Sequence, residues 1–240
     1  GGYDFYGRLL ARHMGKYLPG NPKFIVINMP GAGGIVAANY MQSRAKQNGT
    51  EVAILTRSLA LSQRSKDLGV KYDLRQLIAL GSAASSTFLV AMGKNQPIQS
   101  YEALKNTKKK VLLAATGPGA GSYQYAALLK NDGFNIKIIT GLEQTNARFL
   151  SIARGETHGT ANSYESTRAA FTEFNLLPIM YNGAPIAPLK GVPHINKYLS
   201  EQGKQLAALM GAPLAAGRPF FTSPNVPDAQ VKALRAAFKD

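Results

Sequence analysis

The sequence predicts an α/β fold in which short strands alternate with helices. Three observations point to it. Apolar runs of strand length recur along the chain, each followed within a few residues by a helical pattern. Glycine-rich segments stand directly before several of those helices. The 240 residues, 45% apolar and 17% charged, are long enough and apolar enough to bury a real core. Alternation of this kind is the mark of a parallel sheet covered by helices.

Taken in order, Tyr6, Leu9, Leu10, His13 and Tyr17 fall at helical spacing opposite an Arg8, Arg12, Lys16 stripe, and Asp4 is placed to cap that helix. Phe24–Met29 is a continuous apolar run that reads as a strand, and a second helix runs from Ile35 to about Lys46. Val52–Leu55, Leu77–Leu80 and Phe88–Met92 read as further strands, and Tyr101–Asn106 as a short helix. The rhythm then restarts. Lys109–Ala115 is a strand, Tyr123–Asp132 a helix, Lys137–Thr140 a strand and Thr145–Arg154 a helix. Beyond Ala161 the signal weakens to one strand at Leu176–Tyr181 and a Pro/Gly-punctuated loop over residues 178–193. Two α/β domains follow from this pattern, 1–105 and 106–219, with 220–240 and its helical run Val231–Phe238 returning to the first.

Composition removes several classes of function. With no cysteines there are no disulfides and no thiolate ligands or nucleophiles, and three histidines (His13, His158, His194) leave little for a metal site. No apolar stretch reaches the length of a membrane span. The net charge of +15 favours anionic partners. The basic residues are dispersed, however, and the longest run, Lys108-Lys109-Lys110, leads into a strand without stacking aromatics, so no nucleic-acid partner is expected. The chain opens on Gly1-Gly2-Tyr3-Asp4 without a start methionine or apolar leader, and ends inside a helical pattern, so longer natural ends are expected.

Three segments place glycines before a helix: Gly1-Gly2, Gly31-Ala32-Gly33-Gly34, and Gly117-Pro118-Gly119-Ala120-Gly121-Ser122. Glycine lets the backbone present successive N–H groups, and the positive end of the helix adds to them, so each is a candidate anion cradle or simply a tight strand–helix turn. The middle loop, stiffened by Pro30, reads as architectural. None contains G-x-x-x-x-G-K-[ST], and G-x-G-x-x-G/A fails at Val36 and at Ser122, which weakens a nucleotide- or phosphate-binding enzyme as the alternative. No G-x-S-x-G elbow or H-E-x-x-H occurs, and no catalytic residue is assigned. Thr56, Arg57 and Ser58 lie at the carboxyl end of a predicted strand, where open α/β sheets bind ligands. Arg57 there suits either a bidentate carboxylate contact or solvent.

Several of these segments together carry a family resemblance. Gly1-Gly2-Tyr3-Asp4 with Arg8 resembles the "GG-x-D…R" opening of the substrate-binding receptors of tripartite tricarboxylate transporters, the Bug family. Met29-Pro30-Gly31-Ala32-Gly33-Gly34 is similar to that family's "PGAGG" turn, Asn48–Leu55 to its "DG-T" strand, and Thr116–Ser122 to its "SGxGS" loop. Ile139-Thr140-Gly141 with Arg154-Gly155-Glu156, and Phe221–Asp228, resemble later family segments in the right order. Tyr125 stands where the family often has His.

The resemblance implies a two-lobed periplasmic-binding-protein fold of type II, with a ligand cleft between lobes that close like a hinge and with the strand before Gly1 missing. It implies a periplasmic receptor for a small organic carboxylate, possibly a dicarboxylate, that serves the membrane components of a tripartite transporter. It implies neither enzymatic activity nor a cofactor or metal. The expected ligand-binding residues are Gly1, Gly2, Tyr3, Asp4, Thr56, Arg57 and Ser58 in the first lobe and Thr116, Gly119, Ala120, Gly121, Ser122, Tyr125 and Tyr164 in the second. The three tyrosines suit site walls or hydroxyl donors, and equally core packing.

Overall fold

The computed structural model describes residues 1–239. The elements in chain order are α1 (Gly2–His13), α2 (Ile35–Ser43), β1 (Val52–Ile54), α3 (Leu59–Arg64), β2 (Ile78–Ser82), β3 (Phe88–Gly93), α4 (Tyr101–Asn106), β4 (Val111–Ala114) and α5 (Gly121–Asn131). There follow β5 (Ile136–Ile139), α6 (Thr145–Ala153), β6 (Gly159–Ser163), α7 (Tyr164–Thr167), α8 (Ala170–Glu173), β7 (Leu176–Asn182), α9 (Glu201–Gly211), β8 (Pro219–Thr222) and α10 (Asp228–Lys239). They form two compact units. Unit 1 is Gly1–Ser85 together with the segment from Ala216 onward, and unit 2 is Ser86–Ala215.

Unit 1 holds a three-stranded sheet in the order β1-β8-β2, with β8 antiparallel to both neighbours. Strand alternation separates its two cores. Val52, Ile54 and Phe220 point to a cluster with Met14, Leu80, Leu234 and Ala237, while Ala53, Leu55 and Phe221 point to one with Ile35, Ala38, Met41, Leu59 and Tyr72. Helices α1 and α10 therefore cover one face and α2 and α3 the other.

The structure departs from the sequence reading in three ways here. The sheet is antiparallel: its central strand, β8 from the far end of the chain, runs opposite to both β1 and β2. Helix α1 begins at Gly2 with Gly1 as its N-cap, so Asp4 is no cap but lies in the first turn, where its carboxylate accepts from Arg8 at 3.0 Å. The run Phe24–Met29 forms no strand, since no described residue pairs its backbone; Phe24 and Val26 are half-buried, whereas Ile25 and Ile27 are exposed.

Unit 2 carries a five-stranded mixed sheet in the order β5-β4-β6-β3-β7. Strands β5, β4 and β6 are parallel, and β3 is antiparallel to both β6 and β7. Phe88, Val90 and Met92 of β3 face a core with Leu113, Tyr125 and Leu129, while Leu89 and Ala91 face Phe149, Ile152 and Leu176. Because β3 is an interior strand of this sheet, the chain leaves unit 1 at Ser85 instead of near residue 105 and returns at Ala216.

Four elements of unit 2, β6, α7, α8 and α9, carried no sequence signal, and β6 and α9 show why. Strand β6 reads Gly-Thr-Ala-Asn-Ser, without an apolar run, yet it is interior. Its Gly159 leaves no room for a side chain: a Cβ there would lie against the Met92 sulfur and 2.5 Å from the Ala91 carbonyl oxygen. Helix α9, capped by Ser200 accepting from the Gly203 amide, follows the loop stretch in which only punctuation was legible.

Candidate functional site

In unit 1 the candidate residues gather around one phenol. Tyr3 lies in the first turn of α1, and Thr56–Ser58 follow the carboxyl end of β1. The Tyr3 hydroxyl oxygen accepts from the Arg57 amide at 3.3 Å and from Arg57 Nη1 at 3.2 Å, so its proton is left to be donated. Arg57 Nη1 also donates to the Gly217 carbonyl at 3.0 Å, which ties the residue to the segment entering β8.

Arg218, absent from the sequence-derived set, is 1% exposed, and its guanidinium lies 4.5 Å from the Tyr3 ring centroid and 5.6 Å from that of Tyr6. Aromatic faces of this kind stabilise a buried cation that has left water. Two guanidinium groups thus meet Tyr3, one at its oxygen and one over its ring. The only sequence cue was a basic residue opening a Pro-Phe-Phe strand.

The other predicted residues of unit 1 divide by role. Thr56 Oγ1 donates to the Gly33 carbonyl at 2.9 Å, and Ser58 Oγ donates to Thr56 Oγ1 at 3.2 Å. These hydroxyls hold the Gly31–Gly34 loop against β1. That loop turns through positive φ at Gly31, Gly33 and Gly34, and a Cβ at Gly34 would lie 3.0 Å from Thr56 Oγ1. Its close packing supports the architectural reading of this loop. Asp4 is paired with Arg8, whose hydrogen bond, aided by Asn28, holds its carboxyl below the usual range.

In unit 2 the Gly117–Ser122 loop runs from β4 into α5. Gly117 and Gly119 are buried, Pro118 is exposed, and the N-cap of α5 is Ala120. The Gly121 and Ser122 amides open the first turn of α5, where no earlier helical carbonyl reaches them. Ser122 Oγ accepts from the Thr116 amide at 3.1 Å. Thr116 Oγ1 accepts from Arg148 Nη1 at 2.7 Å. Both oxygens therefore serve as acceptors within the loop, and each hydroxyl keeps a proton to give.

Arg148 was also missed, though a signal existed: with Phe149 and Ile152 it shares the apolar stripe of the predicted helix. It is 4% exposed, and burial lowers its pKa to about 10 despite the opposing field of Glu143.

The two remaining tyrosines sit differently from Tyr3. Tyr125 is in the core, stacked on Phe88 at 4.3 Å with its oxygen accepting from Asn182 Nδ2 at 2.8 Å. Tyr164 is half-buried against the β3–α8 core beside Phe171. Two of the three histidines are structural, and His13 is exposed at the end of α1. His158 Nδ1 accepts the Leu112 amide at 2.8 Å, and His194 Nδ1 caps a short 3-10 turn at Asn196. Among the described residues no group of three or more His, Asp or Glu could hold a metal, and no helix is long and apolar enough to cross a membrane.

No protein-family model matches the chain, and no curated relative matches it. Solved structures do. The chain is similar to the periplasmic binding protein BugD, with a TM-score of 0.78, 19% identity, and coverage of 100% of this chain and 79% of that one. It is similar to MatC of Rhodopseudomonas palustris with bound malate, at TM-score 0.79, 17% identity, and coverage of 99% and 79%. It is also similar to Rpa4515 of R. palustris with adipate, at TM-score 0.76, 19% identity, and coverage of 98% and 76%. The chain has the fold of these periplasmic binding proteins.

Proposed function

We propose that the protein is a periplasmic solute receptor that captures a small organic carboxylate and delivers it to the membrane components of a tripartite tricarboxylate transporter. One observation carries this reading: each unit independently presents hydroxyl and amide donors at the head of a long helix, with a guanidinium bonded to the hydroxyl oxygen. Hydroxyl and amide donors suit a carboxylate, which only accepts. In unit 1 the donors are the Tyr3 hydroxyl and the Gly1–Gly2 end of α1. In unit 2 they are the Thr116 and Ser122 hydroxyls with the Gly121 and Ser122 amides. Each such set suits one carboxylate, and the dicarboxylates in the test below ask whether a second acid group adds affinity.

The structural neighbours support the same class, since one is named with malate and another with adipate. The chemistry of the loops argues against the nucleotide-binding alternative, because the phosphate-loop pattern is absent and the Gly31 loop is consumed by its own packing.

The test is calorimetry and thermal shift with C4–C6 dicarboxylates, matching monocarboxylates and their neutral diamides. Dicarboxylates are expected to raise the melting temperature most and diamides not at all. Binding of NAD(P)H with no response to any organic acid would overturn the receptor reading.

A further inference from the structure

We propose that Arg148 is the residue that makes the unit 2 site selective for an anion: it orients the Thr116 hydroxyl as a donor and supplies the uncompensated positive charge behind the Gly117–Ser122 loop. The inference deepens the receptor reading and rests on it.

Arg148 projects from α6 into a place where arginine is costly. It is more than nine-tenths buried among apolar neighbours on its own helix, Phe149 and Ile152. A buried charge is normally matched by an opposite one. Here no carboxylate among the described residues lies within ion-pair distance of it. The polar contacts of its guanidinium are all neutral: Nη1 to Thr116 Oγ1 at 2.7 Å, Nη1 to the Leu142 carbonyl at 3.0 Å, and Nη2 to Thr145 Oγ1 at 3.4 Å. Its Nε has no hydrogen-bond partner. Glu143, two residues from Thr145, is exposed and reaches it only as a field.

Such a group is stabilised when an anion arrives nearby, because the cost of the lone buried charge then falls. The bond to Thr116 also has a direction. Guanidinium has no acceptor, so the threonine oxygen must accept, and its proton must point elsewhere. The Thr116 amide in turn occupies Ser122 Oγ, so one residue links Arg148 to both loop hydroxyls. A neutral carboxamide could take the same hydrogen bonds but would leave the charge unmatched. Arg148 therefore acts as a positioning residue and selects for charge.

The experiment measures, for the full chain, dissociation constants of adipate, malate and adipamide with wild type, Arg148→Met, Arg148→Lys, Thr116→Val and the Arg148→Met/Thr116→Val double variant. Wild type is expected to prefer adipate to adipamide strongly. Arg148→Met should weaken adipate about 10- to 100-fold, the scale of a hydrogen bond to a charged group, while adipamide changes far less. Arg148→Lys should restore most of the preference, and the effects of Arg148→Met and Thr116→Val should not add.

A buried truncation that only loosens the fold would weaken both ligands alike, and that result overturns the proposal. So does unchanged adipate binding in Arg148→Met, or strict additivity. If Arg148→Met does not fold, loss of the adipate preference in Thr116→Val with retention in Arg148→Lys decides for it, and the reverse decides against it. Wild type that binds neither acid is a separate outcome: it removes the receptor reading itself, and the proposal with it.

Discussion

The two units reach one chemical result by different means. In unit 1 the hydroxyl oxygen belongs to a phenol and is occupied by Arg57, while Arg218 lies over the ring. In unit 2 it belongs to a threonine and is occupied by Arg148 from behind a glycine loop. The frames also differ. Unit 1 holds its site on a short antiparallel sheet closed by a strand from the far end of the chain, and unit 2 on a five-stranded sheet covered on both faces. The difference teaches that what is common to the two candidate sites is the direction of the hydrogen bonds, not residue type or backbone motif. A search by motif finds the glycine loops and misses two of the three arginines.

The severest way to break the comparison is to damage one frame alone. Gly159→Val puts a branched side chain where the Met92 sulfur and Ala91 backbone already stand, and backbone cannot move aside cheaply. Overpacking an interior strand in this way should cost about 3 kcal/mol or more, read as a large fall in melting temperature or as loss of soluble protein. A stable Gly159→Val protein would show that β6 is not held between its neighbours as described.

A smaller effect sharpens the comparison at the opposite site. Tyr3→Phe keeps the ring under Arg218 and removes only the hydroxyl. If that hydroxyl donates to the ligand as Thr116 is inferred to do, carboxylate affinity should fall roughly tenfold or more, with little change in melting temperature. A loss of stability without loss of affinity would make Tyr3 a packing residue that merely anchors Arg57.

How much of this was legible depends on where the physical signal lives. Strand β3, buried along its whole length, announced itself as Phe88–Met92 because an interior strand with two covered faces is a run of apolar residues. Strand β6 is just as interior, yet its Gly159 is crowded by Met92 and Ala91 and its other residues are small or polar, a composition that looks like loop. The Thr116–Ser122 loop was legible as glycine spacing. Arg148 and Arg218 were not assigned, because their value comes from contacts with residues 32 and more than 200 positions away. Phe24–Met29 shows the opposite failure: its pattern is strand-like, and its alternating burial agrees, but a strand also needs a partner ladder.

A weaker effect separates the units by pH. Burial holds the His158 imidazole below its ordinary pKa, and its Nδ1 accepts the Leu112 amide in β4. The unfolded chain therefore binds the proton more readily than the folded one. This contribution is fully present above the unfolded value of about 6.5 and is lost as pH falls through the lower folded value. The melting temperature should fall between pH 7 and pH 5, and His158→Gln, which keeps an acceptor but cannot titrate, should show a shallower fall. Equal slopes would place the pH sensitivity elsewhere.

The smallest expected effect belongs to Asp4 in the first turn of α1. Its carboxylate pairs with Arg8 four residues along α1, and both side chains are at least 36% exposed. An exposed i,i+4 pair is screened by water and contributes about 0.5 kcal/mol or less. Because the Arg8 hydrogen bond lowers the folded pKa, this contribution is present above the unfolded value and disappears as pH falls through the folded one. Asp4→Asn should therefore shift the melting temperature only slightly, and less still at 1 M salt, where exposed charges are screened within about 3 Å. If Asp4 instead orients the ligand-binding end of α1, the same substitution will change carboxylate affinity severalfold while stability barely moves. The sign of that change is informative: removing a negative charge beside the proposed carboxylate site should tighten binding, whereas removing a positioning contact to Arg8 should weaken it.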